Sequence, residues 1–308
     1  MRPRLERTTP YPSASSRRGG GPAASASPSG PARSGSADLL GVVRSLTERD
    51  RFCVSVLAEH QVLTTTQLAQ LCFPGLDVAQ RRLLRLTRLG VLDRFRWHAL
   101  VGSEAWHYTL GPVGAALAAA GRGADPPRPA ELRRRALRLA ASPRLAHLLG
   151  VNGVFCALGA QARNEAGCAL VSWWSERRCA EHYGELVRPD AHGVWAEHGR
   201  QVAFFVEYDT GSEPLARVAA KICGYAELVA AGGPRHPVCF WLGSAAREAH
   251  LRRLLAERRP QLAVATASAE VAAALGTGPA GAVWLCVDSE RRRRLVDLPA
   301  PSRATSGR

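Results

Sequence analysis

A chain of 308 residues with 46% hydrophobic content is long enough to bury a core in each of two domains, so it is expected to fold by burial alone. Its 41 Lys and Arg against 26 Asp and Glu give a formal charge of +15, which points to a polyanionic partner, nucleic acid before a membrane surface, although a GC-rich genome imposes part of that arginine excess. The eight cysteines form no C-x-x-C pair and read as buried free thiols, and no apolar run resembles a signal peptide or a membrane span, so a cytoplasmic, nucleoid- or plasmid-associated protein is expected.

Residues 1–38 are Ser, Gly, Pro, Ala and Arg with few large apolar groups, and such a stretch cannot offset chain entropy by burial; it is expected to be a disordered basic tail. From Thr47, "TERDRFCVSVLAEHQVL" sets apolar residues at helical spacing behind a threonine cap. "TTTQLAQLCF" repeats the device until Pro74-Gly75 stops it, and "DVAQRRLLRLTRLGVLDRF" gives a third helix capped by Asp77 and ended by Gly90. In that helix Leu83, Leu86 and Leu89 form an inward stripe, while Arg81, Arg85 and Arg88 share a different, outward face. The period then falls to two, and "VLDRFRWHALVGSEAWHYTL" reads as a hairpin turning near "LVGSE", followed by the short helix "GPVGAALAAAG".

Three closely linked helices followed by a hairpin predict a winged helix-turn-helix domain over 45–122. In that architecture the third helix enters the major groove. Arg81, Arg85 and Arg88 are then expected to meet phosphates and base edges, Arg94 and Arg96 to lie on the wing strand, and Thr65 and Gln67 to donate to a phosphate from the start of the second helix. The alternative is a solvated arginine face on a fold that mediates protein contacts.

Residues 123–141 are expected to form a linker and a basic helix. Over 142–290 strands alternate with helices. "ALVSWWS", "ELVRPDAHGVW", "RQVAFFVEYD", "HPVCFWLG", "LAVATAS" and "AVWLCVD" read as strands, with helices at "SPRLAHLLGVNGVFCALGAQARNEAG", "PLARVAAKICGYAELVAAG", "SAAREAHLRRLLAERR" and "SAEVAAALG". One antiparallel hairpin turned at "AEHG" makes the sheet mixed, so the fold class is α/β, with an amino-terminal winged helix and a carboxy-terminal mixed sheet covered by helices. Residues 291–308, opening on "RRRR", are expected to be a basic disordered tail.

Glu207 and Asp209 stand two apart on one strand and so share a sheet face, and Asp190 across the "AEHG" turn is placed where it could point to that face as well. Three converging carboxylates match the oxygen ligands a Mg²⁺ ion requires, and such an ion generates a hydroxide and neutralises a phosphate. Lys221, the one lysine in the chain, lies a turn from both Arg217 and Tyr225. Its ammonium would orient a water, hold a phosphate oxygen or pair with Asp209, and arginine's planar fork suits the first of these less well. The competing reading ties the three acids to Lys221, Arg188 or Arg217 with no cleavage. Glu176 reads as a further ligand or a solvated strand end, Trp173, Trp174 and Trp195 as core or base-stacking aromatics, and His147 and Asn152 as hydrogen-bonded residues of an apolar helix.

From about residue 45 to 290 the chain resembles the replication-relaxation family of actinobacterial and plasmid-borne proteins, through "ERDRFCVSVLAEHQVLTTTQLAQLCF", "RRLLRLTRLGVLDR", "HYTLGPVGAAL", "LAHLLGVN", "RPDA", "FFVEYDTGS" and "KICGYAEL". The resemblance implies a winged-helix protein that binds double-stranded DNA and meets replication or relaxase proteins. The carboxy-terminal domain also resembles the PD-(D/E)XK nuclease superfamily, with its restriction-endonuclease-like core, through Pro189-Asp190 and Glu207. It departs from that pattern at Asp209, where a lysine is expected; Lys221 on the following helix is where some members of the superfamily carry it.

The leading expectation is thus a DNA-binding protein of the replication-relaxation type. One alternative is a Mg²⁺-dependent nuclease or nickase in which Asp190 and Glu207 hold the ion, Asp209 assists, Lys221 places the water and Tyr225 shares its face. Another is a winged-helix transcription regulator.

Overall fold

The computed structural model describes residues 5–7, 34–97 and 105–299, and the chain divides into two units, Met1–Ala141 and Ser142–Arg308. The expected hairpin tip at "LVGSE" and most of both tails lie outside the described residues.

In the first unit β1 (Leu5–Arg7) and α1 (Ser34–Ser45) precede α2 (Glu48–His60), β2 (Leu63–Thr64), α3 (Thr65–Cys72) and α4 (Leu76–Arg88). Helix α1 overlaps the end of the stretch expected as tail. Local chemistry starts α2 and α3: each opens on a capping box, Thr47 with Asp50 and Thr64 with Gln67, in which side chain and backbone satisfy each other's donors. Helix α4 differs from expectation here, because Gly75 is its N-cap and Asp77 sits in its first turn. It ends as expected at Gly90, whose φ of +69° suits glycine.

Strands β3 (Leu92–Trp97) and β4 (His107–Leu110) pair antiparallel, β4 also pairs with β2, and β1 pairs with β3. Helices α5 (Pro112–Ala120) and α6 (Pro129–Ala140) complete the unit. Leu57, Leu68, Phe73, Leu83, Leu86 and Phe95 are buried in it.

The second unit is a mixed sheet with helices. It opens on α7 (Leu145–Asn164), which by length and composition alone is apolar enough to cross a bilayer but sets Val151, Val154, Phe155 and Leu158 into the core. Then come β5 (Cys168–Ser175), α8 (Glu176–Tyr183), β6 (Ala191–Glu197) and β7 (Arg200–Asp209). Next are α9 (Leu215–Ala220), α10 (Ile222–Ala230), β8 (Val238–Leu242), α11 (Ala245–Glu257), β9 (Val264–Ser268), α12 (Ala269–Ala274), β10 (Trp284–Cys286) and β11 (Arg292–Arg293).

The strand order is β11-β10-β9-β8-β7-β6-β5, parallel only between β7, β8 and β9. The β6–β7 hairpin turns as expected at Glu197–Arg200, with His198 (φ 47°) and Gly199 (φ 78°) both left-handed, the pairing a two-residue primed turn demands. The six strands expected from alternation are present. The expected single helix over "PLARVAAKICGYAELVAAG" is two, α9 and α10, with the break at Lys221.

Residues 291–299 correct the expected tail. The run at 291–294 alternates exposed and half-buried, as a strand does. Arg292 forks onto Glu248 of α11 at 2.8 and 3.1 Å, and Glu248, 2% exposed, also accepts from Thr266 (3.1 Å) and Ser268 (3.0 Å) of β9. Arg294 pairs with Glu197 at 2.7 Å, and a short helix at Leu295–Asp297 follows. Removing Arg292 leaves a buried carboxylate unmatched, so Arg292→Ala should cost about 3 kcal/mol in urea unfolding, whereas Arg293→Ala, at an exposed position, should leave the midpoint where it was.

Candidate functional site

Two sets of side chains stand out, one in each unit. In the first, helical geometry separates α4 into two faces. Ala79, Leu83 and Leu86 are buried, whereas Arg81, Arg85 and Arg88 are exposed and have no ion-pair partner among the described residues. The intervening Arg82 turns inward, with its Nε 2.9 Å from Oδ1 of Asp50 and its Nη2 on Oδ2. Asp50 is fully buried. Burial alone would raise its carboxyl, but Arg82 and Thr47 outweigh that and hold it below the usual range. Arg94 and Arg96, both on β3, lay their guanidinium groups over the Trp106 ring at 3.9 and 4.4 Å from its centroid. Thr65 and Gln67 are a correction: both are buried, Gln67 closing the α3 capping box and Thr65 Oγ1 donating to the Trp106 carbonyl at 3.3 Å, so neither is presented to a phosphate.

In the second unit Asp190 sits just ahead of β6, opposite Glu207 of β7 by the register Ala191↔Val206. Glu207 is 2% exposed; its Oε2 accepts from Lys221 Nζ at 2.6 Å and its Oε1 from Tyr225 OH at 2.6 Å. Asp190 accepts from the Tyr208 backbone N–H at 2.8 Å and faces His147 Nε2 at 3.1 Å. Sequence reasoning gave His147 no role in this cluster. Its signal would have been a polar residue one turn before Val151, on the line of the buried stripe of α7 and three positions before Gly150, against which the Tyr208 ring packs.

Asp209 leaves the cluster. It is bound by Arg247 of α11 through Nε and, at 3.0 Å, Nη2, and it accepts from the Gly211 N–H at 3.2 Å. The expected Asp209–Lys221 pair is therefore replaced by Asp209–Arg247 and Glu207–Lys221. Arg217 pairs with Glu213 and Glu176 with Arg144. Of the tryptophans, Trp195 is buried in the core, Trp173 stacks on Phe155 at 5.1 Å and Trp174 lies 5.0 Å from His192.

The electrostatics divide the two acids. Burial would raise Asp190, but the His147 contact and the Lys221 charge prevail and hold it low. Burial, then the Asp190 charge, pushes Glu207 up to about 7 against the pull of Lys221 and Tyr225. His147 stays above its ordinary value because Asp190 outweighs its burial, and Lys221 is likewise held as a cation, Glu207 and Asp190 overcoming burial.

A hard divalent cation needs carboxylate oxygens open to it. Five of the six oxygens of Asp190, Glu207 and Asp209 accept from a protein donor and the sixth lies 3.1 Å from His147 Nε2, and among the described residues no group of three or more His, Cys, Asp or Glu is gathered to hold a metal. As placed, these residues do not fit the expected Mg²⁺.

A model of the replication-relaxation family matches residues 54–238, more than half of the chain. The match takes in α4 and the His147, Asp190, Glu207, Lys221 and Tyr225 cluster, but ends before Arg247, Glu248 and Arg292. No curated protein and no solved structure matches the chain.

Glu207 makes a pH prediction whose sign is fixed. Its folded value, about 7, lies above the ordinary 4.5, so the unfolded chain releases this proton first as pH rises, and the associated stability is fully present below 4.5 and lost by about 7. Relative to wild type, Glu207→Gln should gain up to about 3 kcal/mol between those pH values, measured by urea unfolding at each pH.

Proposed function

The chain belongs to the replication-relaxation family, and we propose that it binds double-stranded DNA through its first unit, acting in the replication or relaxation of mobile elements. In this reading α2, α3 and α4 with the β3–β4 hairpin form a winged helix-turn-helix. Helix α4 enters the major groove, and Arg94 and Arg96 meet the neighbouring backbone from the wing.

The observation that carries the reading is the outward row Arg81, Arg85 and Arg88. Some surface arginines of other helices are taken by a carboxylate four residues away, as Arg135 is by Glu131 and Arg177 by Glu181. On α4 the first-turn acid Asp77 is outnumbered by Arg81, Arg85 and Arg88, and the surplus suits phosphates, each of which gives up a condensed counterion on contact.

Asp190, Glu207 and Lys221 then act as an ion-paired scaffold. Cleavage at these residues would require Lys221 and Tyr225 to release Glu207, and recruiting Asp209 would also require Arg247 to let go.

Two measurements follow. Duplex affinity should fall steeply with added salt, and the triple variant Arg81→Ala, Arg85→Ala, Arg88→Ala should weaken binding to any sequence while reducing the slope of log K against log salt by about 2 to 3; an unchanged slope would refute α4 docking. Supercoiled plasmid incubated with the full chain and Mg²⁺ should stay supercoiled. Nicking that disappears in both Glu207→Ala and Lys221→Ala would establish the nuclease reading instead.

A further inference from the structure

Resting on the duplex-binding reading, we infer that α4 also reads base sequence: Val78, Gln80 and Arg81 determine specificity, while Arg85 and Arg88 hold the backbone without regard to sequence. The division follows from what the helix presents along its length. Its buried positions are Ala79, Leu83, Leu86 and Thr87, so the core makes no demand on Val78 or Gln80, both exposed.

Valine is a poor choice for a solvated helix position, since its branched Cβ lowers helix propensity and its side chain gains nothing in water. Here it is 37% exposed, beside Leu76 at 46%, on the helix that carries the outward Arg81, Arg85 and Arg88. In the major groove the apolar group available to such a side chain is the C5-methyl of thymine. Gln80 has no hydrogen-bond partner among the described residues, and its amide offers the paired donor and acceptor that match adenine N6 and N7. Arg81, one residue on, carries the fork that matches guanine O6 and N7.

These three occupy the first two turns of a 13-residue helix, whereas Arg85 and Arg88 stand in its last turn. A helix of that length spans about 20 Å and the groove is about 12 Å wide, so both ends cannot rest on base edges. The amino-terminal turns meet the floor, and the later arginines reach the phosphate wall.

The test begins with selection of bound duplexes from a randomised library by the full chain, followed by affinity measurements on the enriched motif. Wild type should enrich a motif containing thymine and a purine contact. Replacing its thymine by uracil, which deletes one methyl, should weaken wild type several-fold and leave Val78→Ala unaffected. Replacing guanine by 7-deazaguanine should weaken wild type about tenfold and Arg81→Ala little. Gln80→Ala should relax the motif at one adenine, with affinity for random duplex unchanged. Arg85→Ala and Arg88→Ala should weaken every sequence alike.

If the chain holds all duplexes equally, or if Val78→Ala and Gln80→Ala enrich the wild-type motif unaltered, the inference falls and the duplex-binding reading stands. If it holds no duplex at any salt, both fall.

Discussion

A carboxylate withdrawn from water costs several kcal/mol unless a cation or enough donors meet it, and this constraint sets which arginines the fold claims for itself. Asp50 is met by Arg82, Glu207 by Lys221, Asp209 by Arg247, Glu248 by Arg292 and Glu197 by Arg294. Each acid is nearly inaccessible and each cation only partly so, the arrangement in which a long side chain lays its stem along the protein and keeps one edge of its head wet. Most of these pairs join separate elements: α2 to α4, β7 to α9–α10, β7 to α11, and α11 to β11. Losing one partner therefore loosens a junction as well as exposing a charge.

The single lysine is intelligible within this pattern. Asp50, Asp209 and Glu248 each receive a guanidinium that reaches both oxygens, and Arg247 adds the Glu213 carbonyl, whereas Glu197, with one oxygen taken by Trp195 Nε1, meets Arg294 at the other alone. Glu207 has one oxygen already filled by Tyr225, so only one remains, and the same cation also feels Asp190 across the strand pair. A compact ammonium serves that one oxygen and the second nearby charge of Asp190, and this second charge separates the site from Glu197, where a guanidinium takes the one free oxygen. The helix breaks at that residue: the Lys221 N–H bonds back three positions to Val218 at 3.3 Å, a tightened turn that ends α9 and starts α10.

What the sequence made legible was local. Threonine caps, the spacing of Leu83 and Leu86 against Arg81, Arg85 and Arg88, the alternation of β7 and the left-handed turn at His198-Gly199 are each written within ten residues of themselves. The partners of the acids are not. Arg247 lies 38 positions from Asp209 and Arg292 lies 44 from Glu248, and no periodicity in either segment announces the other. For the same reason the carboxylates of one strand face looked like a single site, although α10 claims one and α11 the other. Thr65 and Gln67 misled in the opposite way: a side chain at a helix start looks available, but the capping box and the Trp106 carbonyl had already engaged both.

The Arg82–Asp50 contact links these internal pairs to the outward chemistry of α4. Arg81 and Arg82 are adjacent in sequence and about 100° apart around the helix, so one cannot turn without the other. Asp50 is itself fixed by the Thr47 cap, through a backbone N–H at 2.8 Å and the hydroxyl at 2.7 Å. The rotation of α4 about its axis is thus set from two directions, by its buried leucines on one side and by a bonded guanidinium on another. A face that keeps its orientation loses little freedom on meeting a partner, and its charges add where they already point. The same internal ion pair that satisfies a buried acid therefore also holds Arg81, Arg85 and Arg88 in one row.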